Sequence, residues 1–516
     1  MPRRRPREIP RQQGLLTPSW LGYAPWAVLT AHCLLAIAYN LATPFGNNGY
    51  PNTPDEGAHF QYVAYVAREW RLPKFEGYAG VGYEAHQPPL YYFLAAVVYA
   101  LTGGEGKAVR LLSTLCSAGV VWLVWLTLRR LAPERPLLAL TGMGFAAFLP
   151  MHIAIGSAVG NDALTNLLFA AVLYALLTNL HNATASTTAP ENSNPLLKVP
   201  PAGRGNRADS VPPAKREEPE KRDTHASVPL AKREEPEKRD THASVPLAKR
   251  GEPSPHSVPL AKRGEPAGGG RLYQLFLLPI LTGLTLLTKA TGVLLIPIML
   301  LGVVIVARGR FGRWVPALGA ATLALLATLL MSGWWLVRNY ILYGDPLLQR
   351  TFLDVFAGTA KARDFLNQGM TWGQYAQLVA DWTFRSFWFA YGAPETARTG
   401  LPNFLPGSVY LGLGALTLGA AVGFALRLRE PSPLWARVWL LLAGLCLVLT
   451  LVSFVLFVRV FFQTQGRYFY PALLPISVFW ALGWEQLVPE RYRQTALLGL
   501  TGVMFALALG CLRYLG

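Results

Sequence analysis

Repeated apolar runs, each about as long as a bilayer core is thick, constrain this chain more than any other feature. A helix needs about 20 apolar residues to cross the hydrocarbon core. Runs of that kind lie at roughly 20–42, 109–128, 137–155, 162–180, 272–288, 291–307, 314–333, 406–426, 435–457, 469–487 and 495–515. Only 15% of the 516 residues are charged and 52% are hydrophobic, whereas soluble domains carry about a quarter charged residues. The expectation is an all-α polytopic membrane protein with about 11 transmembrane helices.

Charge orients the runs. The formal net charge is +18, and the polar tract from 181 to 270 is not its main source. That tract holds 15 Lys and Arg against 12 Asp and Glu, and the rest of the chain holds 32 against 17. The excess sits largely in short loops, where it acts as an orientation signal and contacts anionic lipid. A further run, "PPLYYFLAAVVYALTG" from Pro88, is only about 15 residues long, which suits an interfacial segment. With that segment on the outer surface, "RRLAPERP", "ARGRFGR", "RLREPSPLWAR" and "PERYRQ" all fall inside with the basic N-terminus. The first run reads as an uncleaved span. No basic patch is interleaved with base-stacking aromatics on a soluble domain, so nucleic acid is not expected as a partner. Cys33, Cys116, Cys446 and Cys511 lie singly within apolar runs and read as small buried hydrophobes.

The expected organisation follows. A basic cytoplasmic N-terminus (1–19) precedes a membrane core (20–180) with a first outer loop at 43–108. A cytoplasmic linker (181–270) separates this from core helices (271–333), an outer loop (334–405) and C-terminal spans (406–516). In the linker, "AKREEPEKRDTHASVPL" occurs twice in tandem, from Ala214 and Ala231, followed by shortened copies. It is rich in Pro and charge and has no apolar face to bury, so disorder is expected.

The chemistry-bearing residues gather in the predicted outer segments. "PDEGAHF" places Asp55 and His59 four apart and Glu56 and His59 three apart, within reach across one helix face. Three readings are open: capping of a surface helix, a carboxylate general base, or a divalent cation held by the acids and His59 with His86. In "EAHQPPLYYF", His86 and Gln87 precede a Pro-Pro step that imposes an extended entry into the short surface helix. Asp162 in "GNDAL" adds an acid at a predicted outer turn.

"PDExxHF" outside the first span, then "HQPPLYY", "AVRLLS" and "GNDAL" in that order, resembles the membrane-embedded GT-C glycosyltransferases. The likeness is to bacterial members similar to protein O-mannosyltransferases and aminoarabinose transferases. "KATGVLLIP", "GWWLVRNYILYGDPL" and "QGRYFYPALLP" extend it over most of the chain outside 181–270. The resemblance implies a GT-C-like helix bundle whose donor is a polyprenyl-phosphate sugar. It puts the catalytic aspartate at Asp55 and the second outer-loop aspartate at Asp162; Glu56, from the reading of the acid pair, completes the expected catalytic residues. His59, His86 and Gln87 then fall to substrate binding. Aminoarabinose transferases carry a lysine before the proline where this chain has Gln87; O-mannosyltransferases have His-Pro-Pro where Gln87 here separates His86 from Pro88.

Displacing a polyprenyl phosphate builds negative charge on the leaving oxygen, which fixed cations stabilise. Candidates are Lys289, Arg467, Arg338 and Arg110, each with snorkelling or headgroup contact as the plain alternative. The rings of "DWTFRSFWFAYG" suit either sugar stacking or an interfacial belt. The expected activity is sugar transfer from a lipid-phosphate donor to an acceptor hydroxyl on the outer face of the plasma membrane, the acceptor being a protein, a lipid or a polysaccharide. The alternatives are a flippase of lipid-linked sugars, which would carry polar groups near the midplane on broken helices, and a non-catalytic assembly protein of the same fold.

Overall fold

The computed structural model describes residues 19–46, 51–187, 273–392 and 401–515. They form an almost entirely helical membrane protein. Eight helices are long and apolar enough to cross a bilayer: α1 (Ala24–Ala42), α4 (Gly106–Leu131), α7 (Asp162–Thr187), α9 (Leu295–Phe311), α10 (Trp314–Tyr343), α14 (Gly407–Arg427), α15 (Leu434–Val458) and α17 (Glu490–Cys511). A ninth is formed if α5 (Pro136–Ala147) and α6 (Pro150–Gly156) count as one broken span bent by 61°. The bend falls at "FLP", where Pro150 disfavours a helical conformation for Leu149. The two other expected spans, 272–288 and 469–487, fold as α8 (Tyr273–Leu286) and α16 (Leu473–Leu487), of 14 and 15 residues. Short 3-10 turns, Ala290–Leu294 and Gly466–Ala472, interrupt these two regions. The expected eleven full-length spans are therefore not all present as such among the described residues, because polar breaks shorten the runs.

Four shorter helices sit among the connections: α2 (Glu56–Glu69), α3 (Leu90–Leu101), α11 (Gln349–Val355) and α12 (Ala362–Asn367). A longer one, α13 (Trp372–Trp388), leads into a two-stranded antiparallel pair, β1 (Ala390–Tyr391) with β2 (Asn403–Phe404), in the register Ala390 to Phe404. α3 is the short segment expected from Pro88 onward, and its start is tied to the residue just after α8 by a hydrogen bond from Leu90 N to Leu287 O at 2.8 Å. α7 continues to Thr187, past the expected start of the linker; the remainder of the expected repeat tract lies outside the described residues.

One contiguous core runs through the bundle and includes Leu35, Val120, Met143, Phe145, Leu173, Trp439 and Leu474. α14 and α16 cross with their backbones in contact: a Cβ on Gly423 would overlap the carbonyl of Gly483, and one on Gly483 the carbonyl of Ala420. Glycine at such crossings permits the close approach that drives helix association where lipid supplies no hydrophobic force. A second core lies under α2, where Tyr62, Val63 and Val66 pack with Tyr91, Tyr92 and Ala95 of α3. Tyr62 and Tyr92 stack at 3.7 Å between ring centroids. This packing fixes α2, and with it the turn that carries Asp55 and Glu56. Cys116, Cys446 and Cys511 are buried free thiols and Cys33 is half-buried.

Candidate functional site

Asp55 occupies the N-cap position of α2 with φ +60°, in the left-handed region that is uncommon outside glycine and that aspartate enters more readily than most residues. Its carboxylate does not cap the helix. Oδ1 accepts from the Tyr83 hydroxyl at 2.9 Å and Oδ2 accepts from Arg467 Nη2 at 3.1 Å. The left-handed turn sends the adjacent acid elsewhere. Glu56 is wholly buried and accepts from Arg110 twice at 2.6 Å, from Gly46 N at 3.0 Å and from Val159 N at 2.9 Å. Arg110, equally buried, spends its remaining donors on the carbonyls of Asn40 (2.8 Å), Thr43 (3.0 Å) and Pro44 (3.0 Å). Glu56 and Arg110 thus form a closed knot that joins α1, α2, α4 and the turn before α7, and neither lines the cavity described next.

Asp55 faces a cavity of about 290 Å³, lined on its polar side by His59, Tyr83, Glu84, His86, Gln87, Lys289, Gln463 and Arg467. Phe352 and Phe356 at α11, Phe457 of α15 and Phe461 supply its apolar side. Two cations sit among its acids. Arg467 Nη1 donates to Asp162 Oδ2 at 2.7 Å while Nη2 reaches Asp55, so one guanidinium bridges two carboxylates. Lys289 Nζ donates to Asp162 Oδ1 from the other side. Lys289 follows the end of α8 in an extended conformation and begins the 3-10 turn. Arg467 is placed by Gly466, where a Cβ would overlap the backbone of Phe387; Gly466 N donates to Ser386 Oγ at 2.8 Å, and Arg467 Nε donates to Gln465 Oε1 at 2.6 Å.

The remaining expected residues divide. His59 lines the cavity, and its Nδ1 meets the Tyr92 hydroxyl at 2.7 Å. Burial pulls this imidazole below the usual histidine range, against the opposing pull of Glu84. His86 lies among Phe75, Phe352 and Phe356, and burial holds it down at about 4. Its Nδ1 donates to Tyr83 O at 2.6 Å, so Nε2 accepts from Gln87 Nε2 at 3.1 Å. Gln87 Oε1 in turn accepts from Asn161 Nδ2 at 3.1 Å. Gln87 therefore links His86 to the turn before Asp162. Arg338 does not line the cavity: it donates to the Pro73 carbonyl at 2.6 Å and lies 5.0 Å over Trp335, pinning the loop after α2 to α10. Glu84, Tyr83 and Gln465 belong to the site without having been singled out from the sequence; Glu84 stands two residues before His86 in the quoted motif and was the readable signal.

Asp55 and Asp162 are held apart by the Arg467 guanidinium, and Glu56 is turned into the knot with Arg110. Among the described residues no group of three or more His, Cys, Asp or Glu is arranged to hold a metal ion.

Beside the polar cavity lies a larger, almost wholly apolar one of about 630 Å³. Phe387 and Trp388 of α13 line it with Trp372, Phe469 and Trp480, and Phe454 belongs to both cavities. Much of the aromatic segment from Asp381 is thus directed into this space.

Residues 86–186 match a family model described as dolichyl-phosphate-mannose-protein mannosyltransferase. The match spans "HQPPLYY", "AVRLLS" and "GNDAL" and agrees with the GT-C resemblance of those motifs. Among solved structures the chain is similar to ArnT from Cupriavidus metallidurans bound to undecaprenyl phosphate, with 14% identity, a TM-score of 0.48, and coverage of 94% of this chain and 64% of that one. It is also similar to the oligosaccharyltransferase of Archaeoglobus fulgidus in the apo form, with 12% identity, a TM-score of 0.46, and coverage of 96% and 57%. The chain thus spans less than two thirds of the length of these structures. No curated protein matches it.

Proposed function

We propose that this protein is an inverting GT-C-type glycosyltransferase that moves a sugar from a polyprenyl phosphate to an acceptor hydroxyl on the outer face of the plasma membrane. The observation that carries the reading is that Asp55, Arg467 and Lys289 line one cavity, with Arg467 paired to Asp55 and both cations anchored on Asp162. The match over residues 86–186 supports a lipid-phosphate sugar as the donor.

In this reading the donor phosphate is received by Lys289 and Arg467, and the neighbouring apolar cavity takes isoprenoid chain. Phosphate competes with Asp55 for Arg467, so donor binding loosens the 3.1 Å contact and frees Oδ2 to meet the acceptor hydroxyl. The acceptor oxygen attacks the anomeric carbon and its proton passes to Asp55. The bond from the anomeric carbon to the phosphate oxygen breaks, and its electron pair stays on an oxygen held by the two cations. Tyr83 and the left-handed turn hold Asp55 in place, and the knot of Glu56 with Arg110 holds the turn. Purified protein incubated with radiolabelled polyprenyl-phosphate hexoses and membrane fractions tests this directly. Label moving into a protein, lipid or polysaccharide fraction is expected; donor binding or flipping without any transfer would replace the enzyme by a carrier.

A further inference from the structure

Besides the Thr291 hydroxyl, polar groups on two adjoining residues of the cavity wall are left over once the hydrogen bonds of the site are assigned. The Glu84 side chain is 8% exposed, and its Oε2 is buried without a hydrogen-bond partner. It lies 3.8 Å from His59 Nδ1, beyond hydrogen-bond distance. That nitrogen is already engaged with Tyr92. Tyr92 is fully buried, and among the described residues its hydroxyl has no partner but His59, so the proton is used only if Tyr92 donates to Nδ1. The single proton of the neutral imidazole is then assigned to Nε2, which makes no hydrogen bond among the described residues. Both residues line the cavity. Its wall therefore carries an unpartnered carboxyl oxygen on Glu84 and, on the adjoining His59 ring, an unpartnered N–H.

Such a pair selects a chemical class. A hydroxyl accepts from Nε2–H and donates to a Glu84 carboxylate; if Glu84 is protonated, as burial favours, the hydroxyl accepts from it instead. An ammonium has no lone pair for Nε2–H, and a C–H group satisfies neither partner. We propose that Glu84 and His59 form a subsite that reads one hydroxyl of the donor sugar, with Glu84 as a specificity-determining residue. This rests on the transferase reading, because the cations that would hold the donor phosphate line the same cavity.

The test uses the full-length purified protein and polyprenyl-phosphate hexoses in which each ring hydroxyl in turn is replaced by hydrogen. For the parent, one deoxy donor is expected to lose roughly 10- to 100-fold in kcat/KM, the scale of a charge-assisted hydrogen bond, with the others much less affected. Glu84→Ala should show the same loss with the complete hexose and no further loss with that deoxy donor, since the partner is already gone. Glu84→Gln, which keeps a donor and an acceptor, should recover part of the discrimination. Binding of sugar-free polyprenyl phosphate should not change in either variant. If Glu84→Ala discriminates among the deoxy donors as the parent does, the subsite is wrong while the transferase reading survives. If the parent transfers no hexose, the transferase reading falls, and displacement of labelled donor by the same set decides the hydroxyl subsite separately. Should Glu84→Ala not fold, His59→Phe removes the other half of the pair and is held to the same criterion.

Discussion

Glu56→Gln should cost this protein its fold before it costs its chemistry. Glu56 accepts four hydrogen bonds, two of them from Arg110 at 2.6 Å, and both side chains are 0% exposed. A glutamine keeps the shape, yet its NH2 group must face a donor in place of one carboxylate oxygen. The Arg110 charge is left buried, with only neutral acceptors around it. Removing one partner of a buried ion pair costs about 3–5 kcal/mol, because the surviving charge is uncompensated. That corresponds to roughly a 150- to 5,000-fold loss in the folding equilibrium. Asp55, one position earlier, has a side chain that is 32% exposed, so Asp55→Asn should be far milder. The assay is thermal unfolding in detergent beside a monodispersity profile, with transfer measured per folded molecule. Glu56→Gln is expected to unfold at much lower temperature, while its folded fraction transfers sugar at near-parental rate. Parental stability with abolished transfer would refute the reasoning and place Glu56 in the chemistry.

Lys289→Met and Arg467→Gln should each weaken donor binding and turnover by roughly 10- to 150-fold, the effect of about 1.5–3 kcal/mol for a lost charge-assisted contact; direct binding of polyprenyl phosphate checks it, and unchanged binding in both would move the phosphate elsewhere. His86 is held at about 4 by burial, against 6.5 for the free group, so between those values the unfolded chain binds a proton that the folded chain does not. Its stability contribution is complete above about pH 6.5 and falls as the pH drops through that window, and His86→Asn should flatten this dependence in unfolding curves taken from pH 7 to 4.5. Deleting residues 200–265 should leave expression and transfer nearly unchanged, because the repeats have no apolar face and a shorter connection alters closure entropy little; loss of folded protein on deletion would refute this.

How much of this was legible in the sequence depended on contrast. Lys289, Arg467 and Asp162 stood out as ions within or beside apolar runs, and the structure brings them together although 127 and 305 positions separate the pairs. The roles of adjacent acids were not legible, because they hang on one backbone angle: with φ at +60°, Asp55 faces the cavity and Glu56 faces Arg110. Helical spacing could not have paired Glu56 with Arg110, 54 residues away, so Arg110 read as a candidate cation for the donor phosphate. Arg338 looked equally free, yet its acceptor is a backbone carbonyl on another loop, which no residue pattern announces. The apolar runs were read correctly as helices but not as broken ones. Pro150 marks the break between α5 and α6, whereas the interruptions at 290–294 and 466–472 form where Lys289 and Arg467 meet Asp162.

The central claim is that Asp55 takes the acceptor proton, and one comparison reaches it most directly. Parent and Asp55→Asn are loaded with the same labelled polyprenyl-phosphate hexose, and transfer is followed in a single turnover while donor binding is measured in parallel. Asparagine keeps the size of the side chain and an acceptor for Tyr83 but is not a base. A general base contributes roughly 100- to 10,000-fold, so transfer should fall by that factor with donor affinity within a few fold of the parent. Transfer by Asp55→Asn at the parental rate would contradict the account and leave the carboxylate as nothing more than a partner for Arg467.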